Sequence, residues 1–185
     1  MTQTQASAHI LVVDDEPAAR LSLAELLSLE GYQVTPAASG EEAVDLLSEG
    51  PFDLAILDIK MPGMDGLELV HELQKRIPET IIIMLTAHGT LETAVQAMRH
   101  GAHDYLLKPA NVNEIMASVK AGLDKRRRKL RRQELLSLMQ HTLAAITEDG
   151  PMPSTESPTV TDRFLQVREV LVDKQKYVAT FKGES

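Results

Sequence analysis

Five polar residues in the first 108 positions of the chain each follow directly on, or stand next in line after, a short apolar run. Asp14 and Asp15 follow Ile10–Val13, Asp58 follows Leu54–Leu57, Thr86 follows Ile81–Leu85, and Lys108 follows Tyr105–Leu107. Taken singly, each has an ordinary explanation: Asp15 as a helix cap, Thr86 as a turn residue, Lys108 as a solvated charge. Taken together, three carboxylates, a hydroxyl and an ammonium describe one chemistry. Crowded carboxylates repel unless a cation neutralises them. Mg²⁺ is the natural partner, because it prefers oxygen ligands, keeps several waters and joins one or two carboxylates to a phosphate. Asp15 and Asp58 suit direct coordination and Asp14 a water-mediated contact, and no imidazole or thiolate is placed to favour zinc. A carboxylate also attacks phosphorus to form an aspartyl phosphate, and Asp58 is the candidate nucleophile. Lys108 would neutralise phosphoryl oxygen charge and Thr86 would hydrogen-bond a phosphoryl oxygen.

These residues can meet only if the apolar runs are neighbouring strands of one parallel sheet. The pattern supports this. Strands are expected at His9–Val13, Gln33–Pro36, Phe52–Leu57, Thr80–Leu85 and Asp104–Leu107, alternating with amphipathic stretches. The central runs ILVV, LAIL and IIIML are continuously apolar, as strands covered on both faces should be. Pro17 suits a first helical position and Gly31 a C-terminal cap, with Leu23, Leu26 and Leu27 facing the core. Ser39 and Glu42 form an S-x-x-E capping box, and Gly50-Pro51 ends that helix. Later helices fall near Leu67–Arg76, Leu91–His100 and from Asn113 onward. In an open parallel sheet the carboxyl ends of the central strands line a crevice where the strand order reverses.

The net charge of -8 conceals a division. Residues 1–124 carry 19 acidic and 7 basic side chains, whereas residues 125–185 carry 8 and 12, so any nucleic-acid contact belongs to the tail. There is no cysteine and no apolar run long enough to span a bilayer, and MTQTQASAH lacks a secretory pattern. The chain is expected to be cytoplasmic. The basic run Lys125–Lys129 with Arg131-Arg132 has no apolar stripe to bury. Leu136, Met139, Leu143 and Ile146 then return at heptad spacing, which fits a dimeric coiled coil, packing on the chain's own tail or a fraying helix end. The expected divisions are a disordered start (1–7), a main domain (8–124), a basic helical extension (125–147), a flexible linker (148–161) rich in Pro, Ser and Thr, and a β-hairpin (162–185).

In order and spacing, ILVVDDEP, LAILDIKMPGMDG, IIIMLTAHG and DYLLKP resemble the receiver domain of bacterial two-component response regulators, over about residues 8–124. The resemblance implies an α/β, flavodoxin-like (βα)₅ doubly wound sheet with strand order 2-1-3-4-5. It implies phosphorylation of Asp58 by a sensor histidine kinase, Mg²⁺ ligation by the Lys60 backbone carbonyl, a switch in which Thr86 moves toward the phosphoryl group and Tyr105 turns inward, and a cis Lys108–Pro109 bond. It also implies dimerisation through the fourth and fifth helices, and a switch rather than an enzyme. A metal-dependent phosphohydrolase would need an acid two residues beyond Asp58, where Lys60 stands. Nucleotide binding lacks a glycine-rich loop after the first strand. The scattered His71, His88, His100 and His103 argue against a metal or phosphorelay role.

The segment RFLQVREVLVDKQKYVATFKGES resembles the opening strands of a winged-helix DNA-binding domain, but no recognition helix follows within the chain. DNA contact through this tail or through the basic helix, and transcription as the output, are the corresponding expectations.

Overall fold

Successive residues of a strand point to opposite faces of its sheet, so a continuously apolar strand needs cover on both sides. Strand β1 (His9–Val13) shows the consequence: Leu11 and Val13 join one buried cluster while Ile10 and Val12 join another. The same alternation sorts β3 (Leu54–Leu57), with Ala55 and Leu57 in the first cluster and Leu54 and Ile56 in the second. Helices α2 (Gly40–Leu46), α3 (Gly66–Arg76) and α4 (Leu91–Arg99) supply Ala43, Leu69, Val70, Leu73 and Ala97 to the first. Helices α1 (Pro17–Leu29) and α5 (Val112–Thr147) supply Leu23, Leu27, Ile115, Met116 and Val119 to the second. With β2 (Gln33–Ala37), β4 (Ile81–Thr86) and β5 (Asp104–Leu107), the strands form one parallel sheet in the order β2-β1-β3-β4-β5. This is the flavodoxin-like (βα)₅ arrangement.

The computed structural model describes residues 7–48 and 50–147 and the strand segments 164–167, 170–173 and 178–181, with side chains described through residue 141. Residues 1–6 of the expected disordered start and the expected linker 148–161 lie outside them. Two compact units divide the chain, residues 1–139 and 140–185. In the second unit, β6 (Phe164–Val167), β7 (Val170–Asp173) and β8 (Val178–Phe181) form an antiparallel sheet. The expected hairpin is the β7–β8 pair; its first arm is two strands rather than one, with Arg168-Glu169 standing between them in sequence. Among the described residues, no helix is long and apolar enough to cross a membrane.

Local chemistry sets the element ends. Pro17 occupies the start of α1, and Gly31 beyond its end has φ +89°, a conformation only glycine adopts freely. The Ser39 hydroxyl accepts from Glu42 N–H at 3.2 Å, but the Glu42 carboxylate reaches Ala38 N–H (2.6 Å), so the expected capping box closes one residue early. Strand β4 starts one residue later than the apolar pattern suggests: the Thr80 N–H bonds back to the Ile77 carbonyl (3.0 Å), and the ladder to β3 begins with Ile81. Thr86, paired with Leu107 of β5, is the last residue of the strand.

The basic stretch of α5 is partly engaged. Arg126 pairs with the Asp53 carboxylate (2.5 Å) and donates to the Glu79 carbonyl (3.1 Å); Lys129 pairs with the Glu79 carboxylate (3.1 Å), and Gln133 donates to it (3.2 Å). Arg127 pairs with Asp124. Arg126 and Asp53 are both less than a third exposed, so Arg126→Ala should destabilise the domain by about 1–2 kcal/mol in urea unfolding. The exposed Arg128, replaced by Ala, should change it by no more than about 0.5 kcal/mol.

Candidate functional site

Because β1 has β2 on one side and β3 on the other, the crevice beyond the β1 and β3 ends is where the strand order reverses. Asp14 leaves β1 with its N–H bonded to the Ala37 carbonyl (3.2 Å), and Asp58 leaves β3 bonded to Val13 (2.9 Å). Both side chains are buried, 4% and 8% exposed, whereas Asp15 is exposed. One carboxylate oxygen from each of Asp14, Asp15 and Asp58 lies within 4.8 Å of the others. Lys108 comes from the end of β5, its N–H bonded to the Thr86 carbonyl (2.9 Å), and its ammonium lies 2.5 Å from Asp14 Oδ2 and 3.5 Å from Asp58 Oδ2.

The remaining oxygens are oriented by backbone. Asp14 Oδ1 accepts from Glu16 N–H (3.0 Å) and Asp58 Oδ1 from Ile59 N–H (2.7 Å). Arg20 donates to the Asp14 carbonyl at 2.6 Å, bracing the turn out of β1. Burial alone would lower the Lys108 pKa. The hydrogen bond and charge of Asp14, then those of Asp58, outweigh it and hold the ammonium above the ordinary lysine value. Three carboxylates against one ammonium leave a negative cluster of hard oxygen donors, and this set fits a divalent ion such as Mg²⁺.

The other expected residues lie nearby in the fold with contacts of their own. Thr86 is fully buried, and its hydroxyl accepts from His88 N–H at 3.2 Å. Lys60 is exposed in the connection from β3 to α3. Tyr105 is half-buried, with its hydroxyl 2.9 Å from Thr93 Oγ1. The Lys108–Pro109 peptide is cis. His71 and His100 meet edge to face with ring centroids 6.1 Å apart, but the groups of three possible metal ligands among the described residues consist of the aspartate cluster alone.

Several contributors were not anticipated. Arg20 carries only a weak signal, one basic residue in the turn after Pro17. Thr93 is the third residue after the Thr90 cap, and the two form a reciprocal capping box that a search for Glu or Gln at that position overlooks. Glu41 accepts from Met64 N–H at 2.8 Å and was hidden beside the better-marked Glu42.

A five-stranded parallel sheet in this order, with an acidic cluster and a lysine at its strand ends, defines a class of flavodoxin-like domain with an acidic crevice. Residues 10–120 match the response regulator receiver domain, and the chain belongs to that family. It is 38% identical over 115 residues to the uncharacterized transcriptional regulatory protein YkoG of Bacillus subtilis (strain 168), covering 62% of this chain and 50% of that protein. It is 40% identical over 113 residues to the response regulator protein PilR of Pseudomonas aeruginosa, covering 61% and 25%. The structure of a response regulator receiver domain protein (CheY-like) from Methanospirillum hungatei JF-1 matches with a TM-score of 0.65 and 35% identity, over 67% of this chain and 99% of that one. The chain spans half or less of the length of the two curated relatives.

The site has little room for error where α3 starts. A Cβ on Gly66 would overlap the Asp58 carbonyl oxygen and lie 2.8 Å from Ile59 Cα, both backbone atoms. Gly66→Ala should therefore destabilise the domain by roughly 2 kcal/mol or more in urea unfolding.

Proposed function

We propose that this receiver domain is a phosphorylation-controlled switch in which Asp58 accepts a phosphoryl group from the phosphohistidine of a sensor histidine kinase. The observation that carries this reading is the buried Asp58 carboxylate within reach of Asp14, Asp15 and the Lys108 ammonium. A carboxylate oxygen of Asp58 attacks phosphorus, the phosphorus–nitrogen bond breaks, and the imidazole leaves with a proton from solvent, so that an acyl phosphate replaces a phosphoramidate. Asp14, Asp15, Asp58 and the Lys60 backbone carbonyl would hold Mg²⁺, which when bound neutralises carboxylate and phosphoryl oxygen charge. Lys108, already between two carboxylates, balances the oxygen charge from the β5 side.

The switch then starts from contacts that must change partners. The Thr86 hydroxyl, which at rest accepts from His88 N–H, turns to donate to a phosphoryl oxygen, and Tyr105 releases Thr93 to turn inward. An apolar groove lined by Ala19, Leu23, Leu26, Ala110, Val112 and Ile115 opens between α1 and α5 beside Asp14 and Lys108, and it suits a helical face of the kinase. Exposed Leu91, Val95 and Met98 on α4, with Leu107 on β5 and Val112 on α5, support dimerisation of the phosphorylated protein through that face. The chain acts as a switch in the cytoplasm rather than as an enzyme on a separate substrate. The relatives named as transcriptional regulators support transcription as the output, and the three antiparallel strands of the tail support reading residues 162–185 as the opening sheet of a winged-helix domain. Residues 125–147 would then be the connecting helix and 148–161 the linker.

Incubation with acetyl phosphate and Mg²⁺ should add one phosphoryl group by intact mass, and Asp58→Ala should abolish the adduct. An adduct that persists in the variant, or one that forms equally well without Mg²⁺, would contradict the reading. The adduct should sediment as a dimer, and Val95→Glu should keep it monomeric.

A further inference from the structure

The connection from β3 to α3 carries Lys60 and begins at Asp58, and it is held at three places. At its base, Gly66 donates its N–H to the Ile59 carbonyl at 2.8 Å. In its middle, the Met61 side chain is buried in the core. At its tip the chain turns through Gly63, with φ +78°, and the next residue, Met64, donates its N–H to Glu41 Oε1 at 2.8 Å.

Glu41 reaches this loop from the first turn of α2. Both partners are shaped for the contact: a Cβ on Gly63 would overlap the Glu41 carboxylate, and a Cβ on Gly40 would lie 2.8 Å from Met64 Cβ and 2.9 Å from its carbonyl oxygen. Two glycines thus let α2 and the loop approach closely. Its own backbone N–H, the Met64 N–H and the Ser39 hydroxyl, in that order, hold the pKa of the carboxylate below the ordinary glutamate value. Glu42 beside it is engaged elsewhere, on Ala38.

We infer that Glu41 is a positioning residue for the cation and phosphoryl site, fixing through Met64 the loop that presents the Lys60 carbonyl beside Asp58. This rests on the reading of Asp58 as a Mg²⁺-assisted phosphoacceptor. A loop ordered in advance does not have to be ordered when the ion binds, so the tether appears as cation affinity. One ordinary net hydrogen bond corresponds to roughly a fivefold change in an equilibrium constant.

The test uses the full chain, with Mg²⁺ affinity measured by calorimetry and Met64 amide exchange measured by NMR without metal. Glu41→Ala should bind Mg²⁺ roughly fivefold more weakly, and its Met64 amide should exchange faster. Glu41→Gln keeps an acceptor oxygen and should stay within about twofold of wild type on both measures. Equal affinity in wild type and Glu41→Ala overturns the inference. Equal losses in the two variants also overturn it, because they would trace the effect to long-range charge rather than to the tether. A wild-type chain that takes up neither Mg²⁺ nor a phosphoryl group overturns the phosphoacceptor reading itself, and this inference with it.

Discussion

Placing two carboxylates in a crevice where water cannot fully hydrate them is costly unless a cation stays close, and Asp14 and Asp58 are both nearly closed off from solvent. Lys108 is the fold's answer, and it comes from a strand 94 residues beyond Asp14. The parallel sheet is what makes this possible: β5 joins the edge of β4, Lys108 bonds back to the Thr86 carbonyl, and its side chain reaches across the sheet ends to Asp14 and Asp58. Removal of one member of such a buried pair typically costs about 3–5 kcal/mol. The compensation is incomplete by design of the residue set, since one ammonium faces three carboxylates. That residue of negative charge stabilises little by itself, but it leaves the site able to take a divalent cation.

The opposite end of the sheet, where its strands start, carries a second electrostatic arrangement. Asp53 precedes β3 and Glu79 precedes β4, and both are met by α5. Ile115, Val119 and Gly122 of α5 are buried, and Arg126, Lys129 and Gln133 continue the same face at three- and four-residue spacing. An apolar stripe therefore passes into a polar one without changing direction. The difference in charge between the two parts of the chain, which on its face points outward to partners, is in part satisfied inside the molecule by Arg126 and Lys129.

The strands and the acidic cluster were legible because each rests on a local signal repeated several times: apolar runs of strand length, and polar residues at the ends of four of them; the strand order itself came from the resemblance to receiver domains. What escaped were pairings between elements. Tyr105 with Thr93, Glu41 with Met64 and Arg126 with Asp53 join residues whose neighbours in sequence say nothing of the partner. The basic run is the clearest case, since in the sequence alone seven cations around one leucine present no face to bury. The position of Thr86 inside β4 rather than after it depends on its pairing with Leu107 of β5, a contact between elements that composition does not decide.

These cross-element contacts bear on how easily the proposed switch could move. Tyr105 is anchored by one hydroxyl contact to Thr93, which already serves the Thr90 capping box and so keeps a partner when Tyr105 leaves. Gly89 lies against the Tyr105 ring edge and hydroxyl, where a Cβ would sit 2.9 Å from the oxygen, and the missing side chain leaves the ring less hindered. Breaking one partly exposed hydrogen bond costs about 1 kcal/mol, well within what a new charge-assisted bond from Thr86 to a phosphoryl oxygen could offset. The resting arrangement is thus held by contacts strong enough to define it and weak enough to be exchanged. The α4–β5 edge, with its exposed Leu91, Val95, Met98 and Leu107, is where such an exchange would first alter the surface.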